Sequence, residues 1–278
     1  MAPRGETVKE ESCCGMLPEL AGHVPEEPRQ WRCFEFAELM EQGEGPGLTS
    51  THAEPPRDRY SDQRLLVQRS QNRMEFQLTT EKGLVLLVAR SRNDGARFDF
   101  FVPTRVKNSK SLGGPAFVLE AKGSCLDSWS LCSTRCEQCE ARGTRKCGSQ
   151  HLARMSHYSE TVGEGEAFCM DLHIPELLED GQPAVFCHVC NEVADWGTLQ
   201  FTTRRPKWNA RQKSLTLDFR GRCACPSSKN FQLEAVDNPG KRRLLFGKAG
   251  PQTFVLDYSH PLSAVQAFAA GLSASHWK

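Results

Sequence analysis

The stretch PLSAVQAFAAGLS, residues 261–273, has no polar face, and it restricts the fold more than any other part of the chain. Asp257, Ser259 and His260 precede Pro261, and proline suits the first helical turn because its missing N–H costs nothing there. Ala264, Ala267, Ala269 and Ala270 are strong helix formers. Leu262, Val265, Phe268, Ala269 and Leu272 recur at helical spacing. The opposite side offers only Ser263, Gln266, Ala267, Ala270 and Gly271. A helix that is apolar all round is buried either in protein or in a membrane. About 12 residues at 1.5 Å each span roughly 18 Å, short of the ~30 Å hydrocarbon core. The sequence therefore predicts a helix enclosed by protein, with Leu262, Val265, Phe268 and Leu272 filling the widest gaps around it.

The enclosure is legible upstream. From about Tyr60, short β-branched or aromatic runs alternate with turn residues: LLVQRS, RMEFQLTT, GLVLLVARSR, RFDFFVPT and AFVLEA. EAFCMDLHI, PAVFCHV, GTLQFTT, KSLTLDFRG, FQLEAV, RRLLFGKA and TFVLDY continue the pattern. NDG between the third and fourth runs is a hairpin signal, because Asn, Asp and Gly accept positive φ. The fold class is mainly β, and closure into an antiparallel barrel of about 12 strands removes the exposed edges. A barrel that wide is not filled by its own side chains, and a threaded helix fills it.

Before Tyr60 the chain is rich in Glu, Pro and Gly (PEEPRQ, EQGEGPG, HAEPPRDR). This composition predicts a largely disordered tail over residues 1–58 and a barrel domain over 59–278. Trp31–Met40 (WRCFEFAELM) is an apolar island in the tail. It reads either as a short helix that docks on the domain or a partner, or as an incidental cluster.

The C-terminal third carries a specific pattern. KSLTLDFRGRCACPSSKNFQL (213–233) is followed by LLFGKAGPQTFVLDYSHPLSAVQAFAAGLS (244–273). A glycine-containing FGK strand, a TFxxDY strand and PLxAxQAFAxxLS, in that order and spacing, resemble the tubby family. LLVARSR (86–92) and SLGGPAFVLEAKG (111–123) resemble that family's basic strand and the strand after it, so the resemblance spans 60–278. It implies a closed antiparallel barrel of about twelve strands around a hydrophobic C-terminal helix, as the pattern suggests independently. Residues 124–200 depart from the family and contain a cysteine-rich insertion at about 125–151. The family's Cys-Glu ending is replaced by SASHWK.

The resemblance also implies a function: a membrane-tethered adaptor whose barrel binds phosphatidylinositol 4,5-bisphosphate. A ring bisphosphate carries several negative charges and needs Arg or Lys converging from adjacent strands, and the planar fork of Arg binds phosphate oxygens bidentately. Arg90 stands where the family has a headgroup-binding arginine. Arg92, two residues on, projects to the same face, and Arg97 lies across the NDG hairpin. Lys107 and Lys110 precede the next strand, where the family's second phosphate-binding Arg is replaced by Ser109. The plainer alternative is that Arg and Lys on strands guard against aggregation. On the lipid reading the chain is peripheral at the cytoplasmic face of the plasma membrane, with a nuclear or ciliary pool, and a protein partner binds through the tail.

Thirteen cysteines are many for a chain with no apolar signal-peptide core near its start. In a reducing compartment they read as thiols or metal ligands. Cys136 and Cys139 form a C-x-x-C knuckle suited to two thiolates on one tetrahedral zinc ion, and Cys132, Cys147 and His151 are candidates to complete it. Cys187 and Cys190 flank His188 on an expected strand, and Cys223 and Cys225 are read as strand packing. The alternative throughout is cysteine as a small buried hydrophobe.

A nucleic-acid or transcription-linked protein using basic strands and a zinc-stabilised loop is the second reading, against which a net charge of +1 argues by limiting phosphate contact. An enzyme is the third. His151, His157 and His173 lie near acids, and Cys169 and Cys187 are conceivable nucleophiles. No G-x-S-x-G, H-E-x-x-H or Gly-rich phosphate loop occurs, and the expectation is a non-enzyme.

Overall fold

The computed structural model describes residues 52–92, 95–103, 114–123, 125–136, 139, 149–187 and 197–276. Alternation builds its walls. In β1 (Gln63–Arg69), Leu65 and Val67 are buried while their neighbours are half-exposed. β2 (Glu75–Thr80), β3 (Val85–Arg92), β4 (Arg97–Phe101) and β5 (Phe117–Lys122) follow, and β3 and β4 bury residues 86–89 and 98–101 without interruption. β6 (Ser128–Ser133), β7 (Gln150–Val162), β8 (Gly165–Pro175) and β9 (Thr198–Thr203) continue the wall, with alternation clearest in β7 and β9. Two short strands, β10 (Lys207–Asn209) and β11 (Ser214–Thr216), pair only with each other. β12 (Phe231–Ala235), β13 (Asn238–Lys248) and β14 (Thr253–Tyr258) complete the wall.

Each stave lies antiparallel to its neighbours. β1 to β9 follow chain order, β9 pairs with β12, and β14 closes on β1 through Leu65↔Leu256 and Val67↔Phe254. The result is a closed barrel of 12 strands.

Down its centre runs α1 (Ala264–His276), with Ala264 to Ala274 all buried. Val265 and Phe268 are fully sealed and Leu272 nearly so, as is Leu262 just before the helix. The Phe268 ring meets Phe100 edge-on, with centroids 5.5 Å apart. The bore tolerates little extra volume: a Cβ at Gly271 would lie 2.7 Å from the Phe246 ring. The helix starts later than proline placement predicts. Ser263 is its N-cap: the Gln266 N–H donates to Ser263 Oγ at 3.4 Å, and the Ser263 N–H donates to Gln266 Oε1 at 2.9 Å. This reciprocal S-x-x-Q box satisfies two end donors at once, so it sets the boundary and leaves Pro261 in the preceding turn. Gln266 Nε2 also donates to the Leu152 carbonyl at 2.9 Å, tying α1 to β7.

Several local expectations change. The described part of PAVFCHV, residues 183–187, is not a strand; it contributes two isolated bridges, Leu177↔Pro183 and His151↔Phe186. KSLTLDFRG supplies only β11, outside the barrel. The cysteine-rich segment holds a stave, β6, whose Trp129 and Leu131 point inward, and it runs into the start of β7. Cys223 and Cys225 lie in the loop before β12, not on a strand. Upstream, His52 is fully buried and Ala53 packs on the core, so ordered packing begins before residue 59.

Burial lowers the pKa of His52 to about 4, and that of His157 also to about 4, with Lys229 adding to the fall at His157 and Asp127 opposing it. In the unfolded chain both titrate near 6.5. Between these values the unfolded state binds protons that the folded state does not, so stability rises with pH across that window. It is fully present above about pH 6.5 and falls toward pH 4, by at most roughly 3 kcal/mol per histidine. Urea midpoints measured from pH 7.5 down to 4.5 are expected to fall steeply. The fall should be shallower in the His52→Gln, His157→Gln double variant; an unchanged slope would show that these histidines are not the cause.

Candidate functional site

Cross-strand register assembles the arginines. Arg90 faces Glu75 on β2 and Asp99 on β4. Arg92 faces Arg97, which faces Glu120 on β5. These side chains share the outer surface of the barrel, because the intervening Ala89, Ser91 and Phe98 are buried. The sequence reading of Arg90 and Arg92 on one face, with Arg97 across the hairpin, describes this arrangement.

Each guanidinium meets a carboxylate. Arg90 Nε donates to Glu75 Oε2 at 3.0 Å, and its guanidinium lies 5.4 Å from the Phe101 ring centroid. Asp99, mostly buried, holds two arginines at once: Arg92 Nε at 2.8 Å and Arg97 Nε at 3.0 Å. Arg97 also approaches Glu120 at 3.8 Å. Three cations and three anions thus neutralise one another at rest. The Asp99 bonds use only Nε, and the Arg92 side chain remains 60% exposed, so Asp99 orients these forks rather than enclosing them.

The band continues across the sheet. Glu120 pairs with Ser130, Ser130 with Arg154, and Arg154 with His173. Lys122 follows Glu120 on the same face of β5. A cavity of about 560 Å³ opens there, lined by Arg97, Glu120, Lys122, Ser130, Thr134 and His151 among others. Lys122 and Arg154 were absent from the sequence reading. Both are visible as outward positions in alternating runs, Lys122 after Val118 and Glu120, and Arg154 between Ala153 and Met155. A larger cavity of about 810 Å³ lies under the β10–β11 hairpin, among Phe168, Trp208, Leu215 and Phe219. Its charged groups, Glu166, Arg204 and Lys213, are mixed in sign, so it offers no concentrated positive field. Lys107, Ser109 and Lys110 lie outside the described residues.

The cysteine candidates separate into two places. Cys132 on β6 and His151 on β7 face each other on the barrel surface, Sγ to Nδ1 3.3 Å, with Ser130 Oγ 3.5 Å from the same nitrogen. Burial pushes the Cys132 thiol pKa up, which disfavours the thiolate a nucleophile needs. Cys136 and Cys139 instead cluster with Cys187, a partner the C-x-x-C spacing did not indicate. Cys132 and His151 are not part of that cluster. Cys147, His188 and Cys190 lie outside the described residues. Cys223 packs against β13 so closely that any side chain at Gly247 would collide with its sulfur. Burial, then Asp257, push the Cys223 thiol pKa up to about 11.

Comparison with known proteins places these features in context. The Tub family model matches residues 56–276. Tubby-related protein 1 of Homo sapiens is 42% identical over 209 residues, covering 71% of this chain and 38% of that protein. Tubby protein homolog 1 of Caenorhabditis elegans is 25% identical over 219 residues, 73% of this chain and 51% of its own length. Tubby-like F-box protein 6 of Oryza sativa subsp. japonica is 41% identical over 83 residues, 27% of this chain and 21% of that protein. The chain spans about half or less of the length of these relatives.

Proposed function

Since the chain belongs to the Tub family, we propose that it is a binding module for phosphoinositide headgroups, an adaptor peripheral to the cytoplasmic face of a membrane. The observation that carries this is the outward convergence of Arg90, Arg92 and Arg97 from two adjacent strands, beside the Lys122 cavity. Phosphatidylinositol 4,5-bisphosphate, the lipid implied by the resemblance around LLVARSR, has the charge density to compete for such arginines. Exposed arginine–carboxylate pairs contribute only about 0–1 kcal/mol each, so a multiply charged phosphate displaces Glu75 or Glu120 at small cost. Asp99, more deeply set, remains and holds the forks in place. Binding through a few surface cations is reversible and does not need insertion. The tail, residues 1–58, is the segment proposed to engage a protein partner.

Each basic residue near an anionic surface contributes about 1 kcal/mol. Arg90→Ala with Arg92→Ala is therefore expected to weaken sedimentation with liposomes containing the 4,5-bisphosphate by about 30-fold, the factor that ~2 kcal/mol represents. Raising salt is expected to weaken wild-type binding as well. Glu75→Gln has the opposite expected sign, since it removes the anion competing for Arg90. If the double variant pellets like wild type, the headgroup does not bind at these arginines.

A further inference from the structure

Cys136, Cys139 and Cys187 stand apart from the barrel core. They form a separate buried cluster, with Val185 packed against it. Their exposures are 1%, 2% and 0%. The three sulfurs lie within 4.8 Å of one another, with Cys139 and Cys187 3.6 Å apart. All three are thiols rather than half-cystines.

A tetrahedral zinc ion with Zn–S bonds of about 2.3 Å sets its sulfurs about 3.8 Å apart. The Cys139–Cys187 separation is within a few tenths of that edge. The cysteines also come from where a staple is needed. Cys136 and Cys139 lie just past the end of β6, on the way to β7. Cys187 follows Phe186, whose carbonyl accepts the His151 N–H at 2.7 Å at the start of β7. Two excursions of the chain, one after β6 and one after β8, thus meet at one end of the β6–β7 pair. Thiol packing alone explains burial, but it does not explain why three sulfurs converge from 48 residues apart with the C-x-x-C spacing of a knuckle.

We propose that Cys136, Cys139 and Cys187 bind a structural zinc ion as three thiolates, stapling the segment after β6 to the segment after β8. Binding releases the three thiol protons, so affinity falls as pH drops. The fourth position is left to water. This site goes beyond the lipid reading and does not depend on it. It also replaces the ligand set that spacing suggested, because Cys132 and His151 pair with each other on the barrel surface instead.

The test uses the full chain, purified under reducing conditions without chelator, with zinc, copper and iron measured together. About one zinc per chain is expected. It should be lost in Cys136→Ser, Cys139→Ser and Cys187→Ser, and kept in Cys132→Ser and His151→Ala. If the first three variants fail to fold, cobalt-substituted wild type carries the test: charge-transfer absorption equivalent to at least three Co–S bonds supports the site. Wild type without zinc, copper or iron in its place, zinc retained in Cys187→Ser, zinc lost in Cys132→Ser, or fewer than three Co–S bonds overturns the proposal.

Discussion

Phe268→Asp is expected to unfold the barrel domain. Phe268 is fully buried at the centre of α1, and its ring contacts Phe100 on the facing wall. The substitution has two costs. Removing a buried phenylalanine costs about 3–5 kcal/mol, and an unpaired carboxylate in an apolar site costs several more unless it takes up a proton. A typical domain holds only about 5–15 kcal/mol of net stability, so the sum removes most or all of it. Phe268→Leu keeps the apolar character and is expected to cost only a few kcal/mol, leaving a cooperative melt. Thermal melting and dye binding to exposed apolar surface separate the two. A soluble Phe268→Asp protein melting within a few degrees of wild type would mean that α1 is not what holds the barrel together.

Arg222→Ala is expected to produce the next largest loss, by a different route. Asp257 on β14 is 1% exposed. Arg222, from the loop before β12, grips it with Nε at 2.8 Å and Nη2 at 2.5 Å. A third bond, Nη1 to Glu81 at 3.0 Å, draws in the β2–β3 turn. The hydrogen bonds to Asp257 raise the Arg222 pKa above its usual value, against the opposing effect of burial. Removing the guanidinium strands a buried anion, which costs about 3–5 kcal/mol. Lysine would not rescue it, since a single ammonium does not reproduce the two-pronged contact. Arg222→Met combined with Asp257→Leu removes both charges and is expected to recover most of the loss. Urea denaturation gives the comparison. A loss under about 1 kcal/mol for Arg222→Ala would reduce the pair to an ordinary surface contact.

That pair also shows what the sequence made readable. Gly221-Arg222 and Asp257-Tyr258 belong to two separate stretches of the C-terminal pattern, and in the fold they meet. The all-apolar helix and the need for a barrel around it followed from periodicity alone. Twelve staves were expected and the barrel has 12, but not the same twelve. PAVFCHV and KSLTLDFRG read as strands because short apolar runs look alike whether or not they find a partner. β6 was hidden because SWSLCS alternates with small polar residues outside, and its cysteine reads equally as a metal ligand. β7 was hidden because QHLARMSHYSETV carries its inward positions on Ala153, Met155 and His157, which are weak strand signals.

The site divides in the same way. Arg90, Arg92 and Arg97 were readable because a hairpin makes local spacing into spatial contact. Their carboxylate partners Glu75 and Glu120 come from the flanking strands β2 and β5, and which residues face each other is settled by register rather than by sequence spacing. Cys187 was invisible as a partner of Cys136 and Cys139 for the same reason: 48 residues separate it from Cys139, and no periodicity spans that gap.

The most direct measurement is an NMR titration of the arginine Nε–Hε resonances with soluble inositol 1,4,5-trisphosphate, repeated with duplex DNA as competitor. Saturable shifts at Arg90, Arg92 and Arg97, lost in Arg90→Ala with Arg92→Ala and not reversed by DNA, are the expected result. Shifts confined to Arg204 and Arg205, just past the end of β9, displacement by DNA, or no shift at all would contradict a phosphoinositide site on β3 and β4.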